Sequence, residues 1–101
     1  MDNQIFSDNE KYAIVNMLTM IMEADTVIHP KEIEYMDSIL KDFFITTADN
    51  EHMDNMDVNM CICIIKSMSI EKRNLAKEIL STMVIVDGYS DPRETKLLDS
   101  L

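Results

Sequence analysis

The scarcity of glycine and proline is the feature that most restricts how this chain can fold. Only one glycine and two prolines occur among its 101 residues. An all-β fold needs a turn about every 8–12 residues, and such turns depend heavily on these two residue types. Hydrophobic residues, in contrast, make up 47% of the chain, which is enough to form a core. We therefore expect an all-α protein that folds as a single domain over residues 1–101.

Apolar residues recur at helical spacing and predict a bundle of about six helices. A capping box at Ser7 to Glu10 marks the start of the first helix. The fourth segment is rich in β-branched residues and suits a strand as well, but a lone strand has nothing to pair with, so a helix is preferred. The expected extents are 8 to about 24, 30 to about 44, a short helix after 47, a helix from about 57, then 70–86, and 92 to the end.

The apolar pattern also predicts which side chains enter the core. In the second helix the expected inner row is Ile33, Met36, Leu40 and Phe43, because these positions share one helical face. The two cysteines, at positions 61 and 63, point to different faces of a helix. A disulfide or shared metal is thus disfavoured, and both are interpreted as small buried apolar side chains.

The charge balance limits the kinds of partner that the chain can bind. Its net charge is −10, from 19 acidic and 9 basic residues. Nucleic acid and anionic membranes are disfavoured, because phosphates are bound by clustered Lys and Arg. Cations or basic protein surfaces fit better, although an acidic surface also serves solubility alone. The N-terminal residues lack the basic and then apolar segments of a signal peptide, and the longest apolar run is too short to span a membrane. A soluble cytoplasmic protein is therefore expected.

One short pattern occurs twice in the chain, with a constant offset. "ADTVIHPKE" begins at position 24 and "VDGYSDPRE" at position 86, so that Pro92 follows Pro30 by 62 residues. The shared form is a helix, then D-x4-P-[KR]-E, then another helix. The pattern predicts two helix–loop–helix units packed with pseudo-twofold symmetry.

This duplicated loop resembles the hallmark of the tellurite-resistance TerB-like family, a group of acidic all-helical domains of similar size. The second copy matches closely, whereas Thr26 stands in the first copy where the family usually has glycine. The resemblance covers nearly the whole chain and implies an α-helical fold and a role near stress responses. It also implies divalent-metal association through the motif carboxylates, which here are Asp25, Glu32, Asp87 and Glu94.

The residues themselves leave two interpretations of this motif open. In the first, the motif only caps helices, with proline at the first helical position and glutamate reaching back to the cap. In the second, the four carboxylates of the two loops share a hard cation, with Mg²⁺ or Ca²⁺ preferred over Zn²⁺. His29 and His52 are weaker candidates, because their spacing is not that of a zinc site.

No catalytic constellation is visible in the sequence, and no catalytic residue or organic cofactor is expected. The preferred hypothesis is a non-enzymatic acidic binding module that docks on another protein, as a protein-interaction or stress-response adaptor. The alternative is a divalent-cation-binding protein that uses the twin Asp/Glu motifs. A homodimer is compatible with the sequence, which does not fix the oligomeric state.

Overall fold

Five helices follow one another in residues 6–24, 30–46 and 50–85, the parts described by a computed structural model. Within these residues there is no strand, so the expected all-α class is confirmed there. The sixth helix, expected from Pro92, lies outside them. None of the described helices is long and apolar enough to cross a bilayer. The helices are α1 (Asp8–Ala24), α2 (Pro30–Asp42), α3 (Asn50–Asp54), α4 (Val58–Lys66) and α5 (Ile70–Ile85).

Side-chain caps fix the starts of α1 and α4 where the sequence predicts them. At α1 the Ser7 backbone N–H donates to Glu10 Oε1 at 2.7 Å, and the Glu10 N–H donates to Ser7 Oγ at 3.3 Å. This reciprocal pair is the predicted capping box. At α4 the Met60 N–H donates to Asp57 Oδ1 at 2.8 Å. The segment that also suited a strand is therefore a helix with its own cap.

Helices α1 and α5 begin in matching ways. Ser69 Oγ accepts the N–H of Lys72 at 3.3 Å, and Ser69 follows Ser7 by the same 62 residues that separate the two motifs. Lys72 is the third residue of α5, as Glu10 is of α1. The Lys72 ammonium donates to Glu10 Oε1 at 3.1 Å. An ion pair between corresponding positions thus joins the first turns of the two helices.

Helix α1 is the centre of the packing, because it contacts all four other described helices. Its core-facing side chains recur at helical spacing, since Ile14, Leu18 and Ile21 have no exposed surface. Four of the five buried residues of α5 lie 62 positions after buried residues of α1. These pairs are Ile14 with Ala76, Met17 with Ile79, Leu18 with Leu80, and Ile21 with Met83.

The inner face of α2 differs in part from the predicted one. Ile33 is 48% exposed, so it is wrong as a core position. Leu40 is partly buried against the core, and Met36 and Phe43 are buried as expected. A hydrogen bond of 2.9 Å from Tyr35 Oη to the Ile79 carbonyl holds α2 against α5 in the observed rotation. Helical spacing alone allows two overlapping rows. The observed row is Glu32, Met36, Ile39 and Phe43.

The two cysteines of α4 lie in different environments. Cys61 is buried as expected, and desolvation raises the pKa of its thiol, which favours the neutral form. Cys63 is exposed, so the expectation that both are buried is wrong for this residue. Two positions along a helix correspond to a rotation of roughly 200°, which turns Cys63 outward when Cys61 faces the core.

Candidate functional site

The four carboxylates expected to bind a cation are only partly within the described structure. Glu32 is described, whereas Asp25, Asp87 and Glu94 lie outside the described residues, as does His29. Whether the two motifs come together is therefore still a prediction.

Glu32 is the third residue of α2 and is almost completely buried, with 1% of its surface exposed. An ionised carboxylate in such a position requires compensating hydrogen bonds or opposite charge. Glu32 does take part in an interaction within the protein, so it is not a free group. The corresponding third residue of α1, Glu10, is less buried, with 17% of its side chain exposed. The motif glutamate of the first copy is therefore directed inward more fully than an ordinary capping glutamate.

Cation ligands do not come together in the part of the chain that the structure describes. Across residues 6–24, 30–46 and 50–85, no three His, Cys, Asp or Glu side chains form a group suited to a metal ion. Because three of the four expected ligands lie elsewhere in the chain, this result bears on other metal sites and not on the predicted one.

A pocket of about 160 Å³ lies where the first turn of α1 meets the end of α2, and we call it the α1–α2 corner. Beside it, the rings of Phe6 and Phe43 pack edge to face, with centroids 5.8 Å apart and planes inclined by 66°. This aromatic contact attaches the start of α1 to the end of α2. The corner is lined by Asp8, Lys11, Tyr12, Phe43, Phe44 and Ile45.

Phe44 has an unusual backbone conformation in this corner. Its φ is 56°, in the left-handed region, and its residue surface is 73% exposed. The Phe44 N–H donates to the Lys41 carbonyl at 3.1 Å, and the Ile45 N–H donates to the Leu40 carbonyl at 3.0 Å. These two bonds form a Schellman turn, whose left-handed residue is usually glycine. Sequence reasoning missed Phe44, although the absence of Gly or Asn after α2 was a usable signal.

Two opposite charges line the corner without pairing. Asp8 is exposed and Lys11 is partly buried, and within the described residues neither side chain forms a hydrogen bond or an ion pair. Ser7 and Glu10 already cap α1, so the Asp8 carboxylate is not needed for that purpose. The corner therefore offers a carboxylate, an ammonium and an exposed ring, a combination that can recognise charge and planar groups.

Comparison with known proteins does not add to this description. No protein-family model, curated protein or solved structure matches the chain. The resemblance to the TerB-like family thus rests on the sequence pattern alone.

Proposed function

We propose that this protein is a non-enzymatic binding module that docks on a basic surface of another protein. The observation that carries the proposal is the distribution of acidic side chains. Ten of the twelve described aspartates and glutamates are exposed, and the net charge of the chain is −10. A surface with this charge attracts basic partners over a distance of several ångströms and repels phosphate backbones.

We further propose a TerB-like architecture made of two pseudo-symmetric helix–loop–helix units, and with it a role in a stress-response assembly. Three features of α1 and α5 support the duplication. Their serine caps, Ser7 and Ser69, are 62 residues apart, and their buried positions coincide at that offset. In addition, Glu10 and Lys72 occupy corresponding positions and contact each other, as residues near a twofold axis do.

The docking proposal is tested with the full chain as bait in a cell lysate, using cross-linking followed by mass spectrometry. We expect a partner with a basic surface whose capture falls as salt rises, because screening weakens the attraction. A variant with Glu34→Gln, Asp37→Asn and Asp42→Asn removes exposed negative charges and should lose capture. The matched control, Lys31→Gln with Lys41→Gln, removes exposed positive charges and should retain it. Equal capture by both variants, or capture by neither wild type nor control, contradicts the proposal.

The alternative function is divalent-cation binding by Asp25, Glu32, Asp87 and Glu94. The burial of Glu32 favours it, because a buried carboxylate at one motif is the kind of ligand that a hard cation requires. Two juxtaposed loops with carbonyls and water would complete the six to eight oxygen ligands that calcium takes.

Thermal unfolding decides between the two functions. After chelator treatment, Mg²⁺, Ca²⁺, Mn²⁺ and Zn²⁺ are added at matched ionic strength, so that simple screening is the same in every sample. If the four carboxylates bind a cation, Mg²⁺ or Ca²⁺ should raise the Tm of the wild-type protein. Glu94→Gln should abolish this rise. Glu34→Gln, an exposed neighbour of the motif, should leave the rise intact. If no ion changes Tm beyond the screening effect, cation binding is rejected.

A further inference from the structure

The exposed ring of Phe44 calls for an explanation that the fold does not supply. Its left-handed backbone is one that glycine adopts without steric penalty and phenylalanine does not. Its ring gains little from burial, because 73% of the residue is exposed. Neither backbone preference nor core packing therefore favours an aromatic residue here. Strained residues that present a large aromatic group to solvent are found at binding surfaces, where such groups anchor a partner.

The groups around Phe44 indicate the chemistry of that partner. An arginine guanidinium is planar, stacks on an aromatic face and donates hydrogen bonds from its N–H groups to the oxygens of a carboxylate. The α1–α2 corner offers the Phe44 ring and the Asp8 carboxylate on the same pocket, and among the described residues no side chain pairs with Asp8. The net charge of −10 attracts a segment that carries further basic residues.

We propose that the α1–α2 corner binds an arginine side chain of a basic protein segment, with the guanidinium stacked on Phe44 and paired with Asp8. This inference rests on the proposed docking function and names the surface and the partner group. Lys11 lies on the same pocket and repels a cation, so it weakens the interaction. An anion held by Lys11 and the first turn of α1 is the competing outcome, and a parallel titration with inorganic phosphate separates the two.

The experiment follows the backbone amide NMR signals of the isotopically labelled full chain during peptide titration. The probes are acetylated and amidated Gly-Gly-Arg-Gly-Gly and the same peptide with Lys or Gln in place of Arg. We expect saturable shifts at Asp8, Phe44 and Ile45, with affinity in the millimolar range for a single side chain. Arginine should bind best, then lysine, then glutamine, because only arginine combines charge with a planar face.

Substitutions assign the binding to named groups. Phe44→Gly and Asp8→Asn should each weaken binding by about two- to fivefold, through loss of the ring and of the charge. Lys11→Gln should strengthen it by about twofold, because a like charge is removed. Met60→Ala, at an exposed residue of α4 outside the pocket lining, is the control and should bind as wild type does. The Asp8 and Lys11 variants retain the Ser7–Glu10 cap, so they test the site even if a Phe44 variant folds poorly.

Several results would overturn the inference. These are equal responses to the three peptides, an absence of saturable shifts at the corner, unchanged binding by Phe44→Gly, and weaker binding of the arginine peptide by Lys11→Gln. Saturable shifts at the corner with phosphate and none with the arginine peptide would identify an anion site instead. The cross-linking experiment with a Phe44→Gly bait separates this inference from the proposed function. If that bait captures the wild-type partner undiminished, the corner is rejected and the docking function stands. If wild type captures no partner but the peptides bind in the expected order, the docking function is rejected and the corner stands.

Discussion

The backbone angle at Phe44 shows how one residue departs from the local preferences of the chain. A Schellman turn requires a left-handed residue at this position, and the structure places a phenylalanine there with φ of 56°. For an L-residue with a Cβ atom, the left-handed region costs about 1–2 kcal/mol. The end of α2 is thus less stable than it would be with glycine.

Replacing Phe44 with glycine or alanine separates the backbone effect from the loss of the ring. Both variants lack the ring, but only glycine relieves the steric clash of Cβ, so Phe44→Gly should be more stable than Phe44→Ala. We expect a difference of about 1 kcal/mol in the free energy of unfolding, reduced somewhat by the greater freedom of glycine in the unfolded chain. Urea denaturation with equal m-values measures it, and identical midpoints would show that φ at position 44 is not strained.

Tyr35 provides a second prediction at the level of a single side chain. Desolvation raises the pKa of Tyr35 above its ordinary value of 10.0, and the negative charges of Glu78 and Asp42 act in the same direction. The neutral phenol is therefore favoured in the folded state, where it donates to the Ile79 carbonyl. The stabilisation is complete below the unfolded pKa and is lost as pH rises through the higher folded pKa.

Tyr35→Phe should cost about 1 kcal/mol at neutral pH, because the Ile79 carbonyl loses its side-chain donor. At alkaline pH the difference from wild type should shrink, since wild type loses the same hydrogen bond on ionisation. Unfolding free energies measured across the alkaline range test this, and tyrosinate absorbance locates the ionisation. A constant difference between the two proteins at every pH would contradict the assigned role.

At the scale of helices, the ion pair between α1 and α5 joins two N-termini. Desolvation acts to raise the pKa of Glu10, but the hydrogen bonds from the Ser7 N–H and Lys72, with the charge of Lys72, outweigh it and the pKa is lowered from 4.5. For a carboxyl whose folded pKa is depressed, the stabilisation is present above the unfolded pKa. It is lost as pH falls through the folded value.

Two substitutions separate the cap from the ion pair. Glu10→Gln keeps a capping side chain but removes the charge, and we expect it to cost about 0.5–1 kcal/mol at pH 7 and to flatten the acid limb of the stability curve. Lys72→Met removes the ion pair alone and should cost less, because the Ser7–Glu10 hydrogen bonds remain. Denaturation from neutral to acid pH measures the free energy of unfolding of both variants. If that of Glu10→Gln falls with pH as steeply as that of wild type, Glu10 is not the source of the acid dependence.

Helix boundaries were more predictable from the sequence than helix rotations. Ser7, Asp57 and Ser69 cap their helices through local hydrogen bonds, and such contacts are encoded within a few residues. The rotation of α2 depends on the distant contact between Tyr35 and Ile79, which no local pattern contains. For that reason Ile33 was expected inside and Glu32 was not.

The candidate sites were predictable to different extents for the same reason. The motif carboxylates can be recognised in the sequence because the pattern occurs twice. The distances between them, however, depend on tertiary packing. The α1–α2 corner was not foreseen, since it requires the first turn of α1 to meet the end of α2. Only the missing glycine after α2 pointed to Phe44 in advance.

At the scale of the whole molecule, the excess of negative charge opposes compaction. With a net charge of −10, mutual repulsion among exposed carboxylates destabilises the folded state. Raising NaCl from about 0.02 to 0.3 M should increase Tm by a few degrees at neutral pH, because the screening length falls from about 20 Å to under 10 Å. Near the isoelectric point of about 4.4, where the net charge vanishes, the same salt change should have little effect. Calorimetric scans compare the two conditions, and equal salt effects would show that repulsion is not the cause.

The central position of α1 has a consequence for synthesis in the cell. Helix α1 is synthesised before every other described helix that it contacts, including α5, the last of them. A nascent chain that stops before Ile70 has α1 available but lacks one of its principal neighbours. The apolar side of α1 then remains open to solvent or to chaperones until α5 has been synthesised, so this helical bundle is expected to pack only after α5 has left the ribosome.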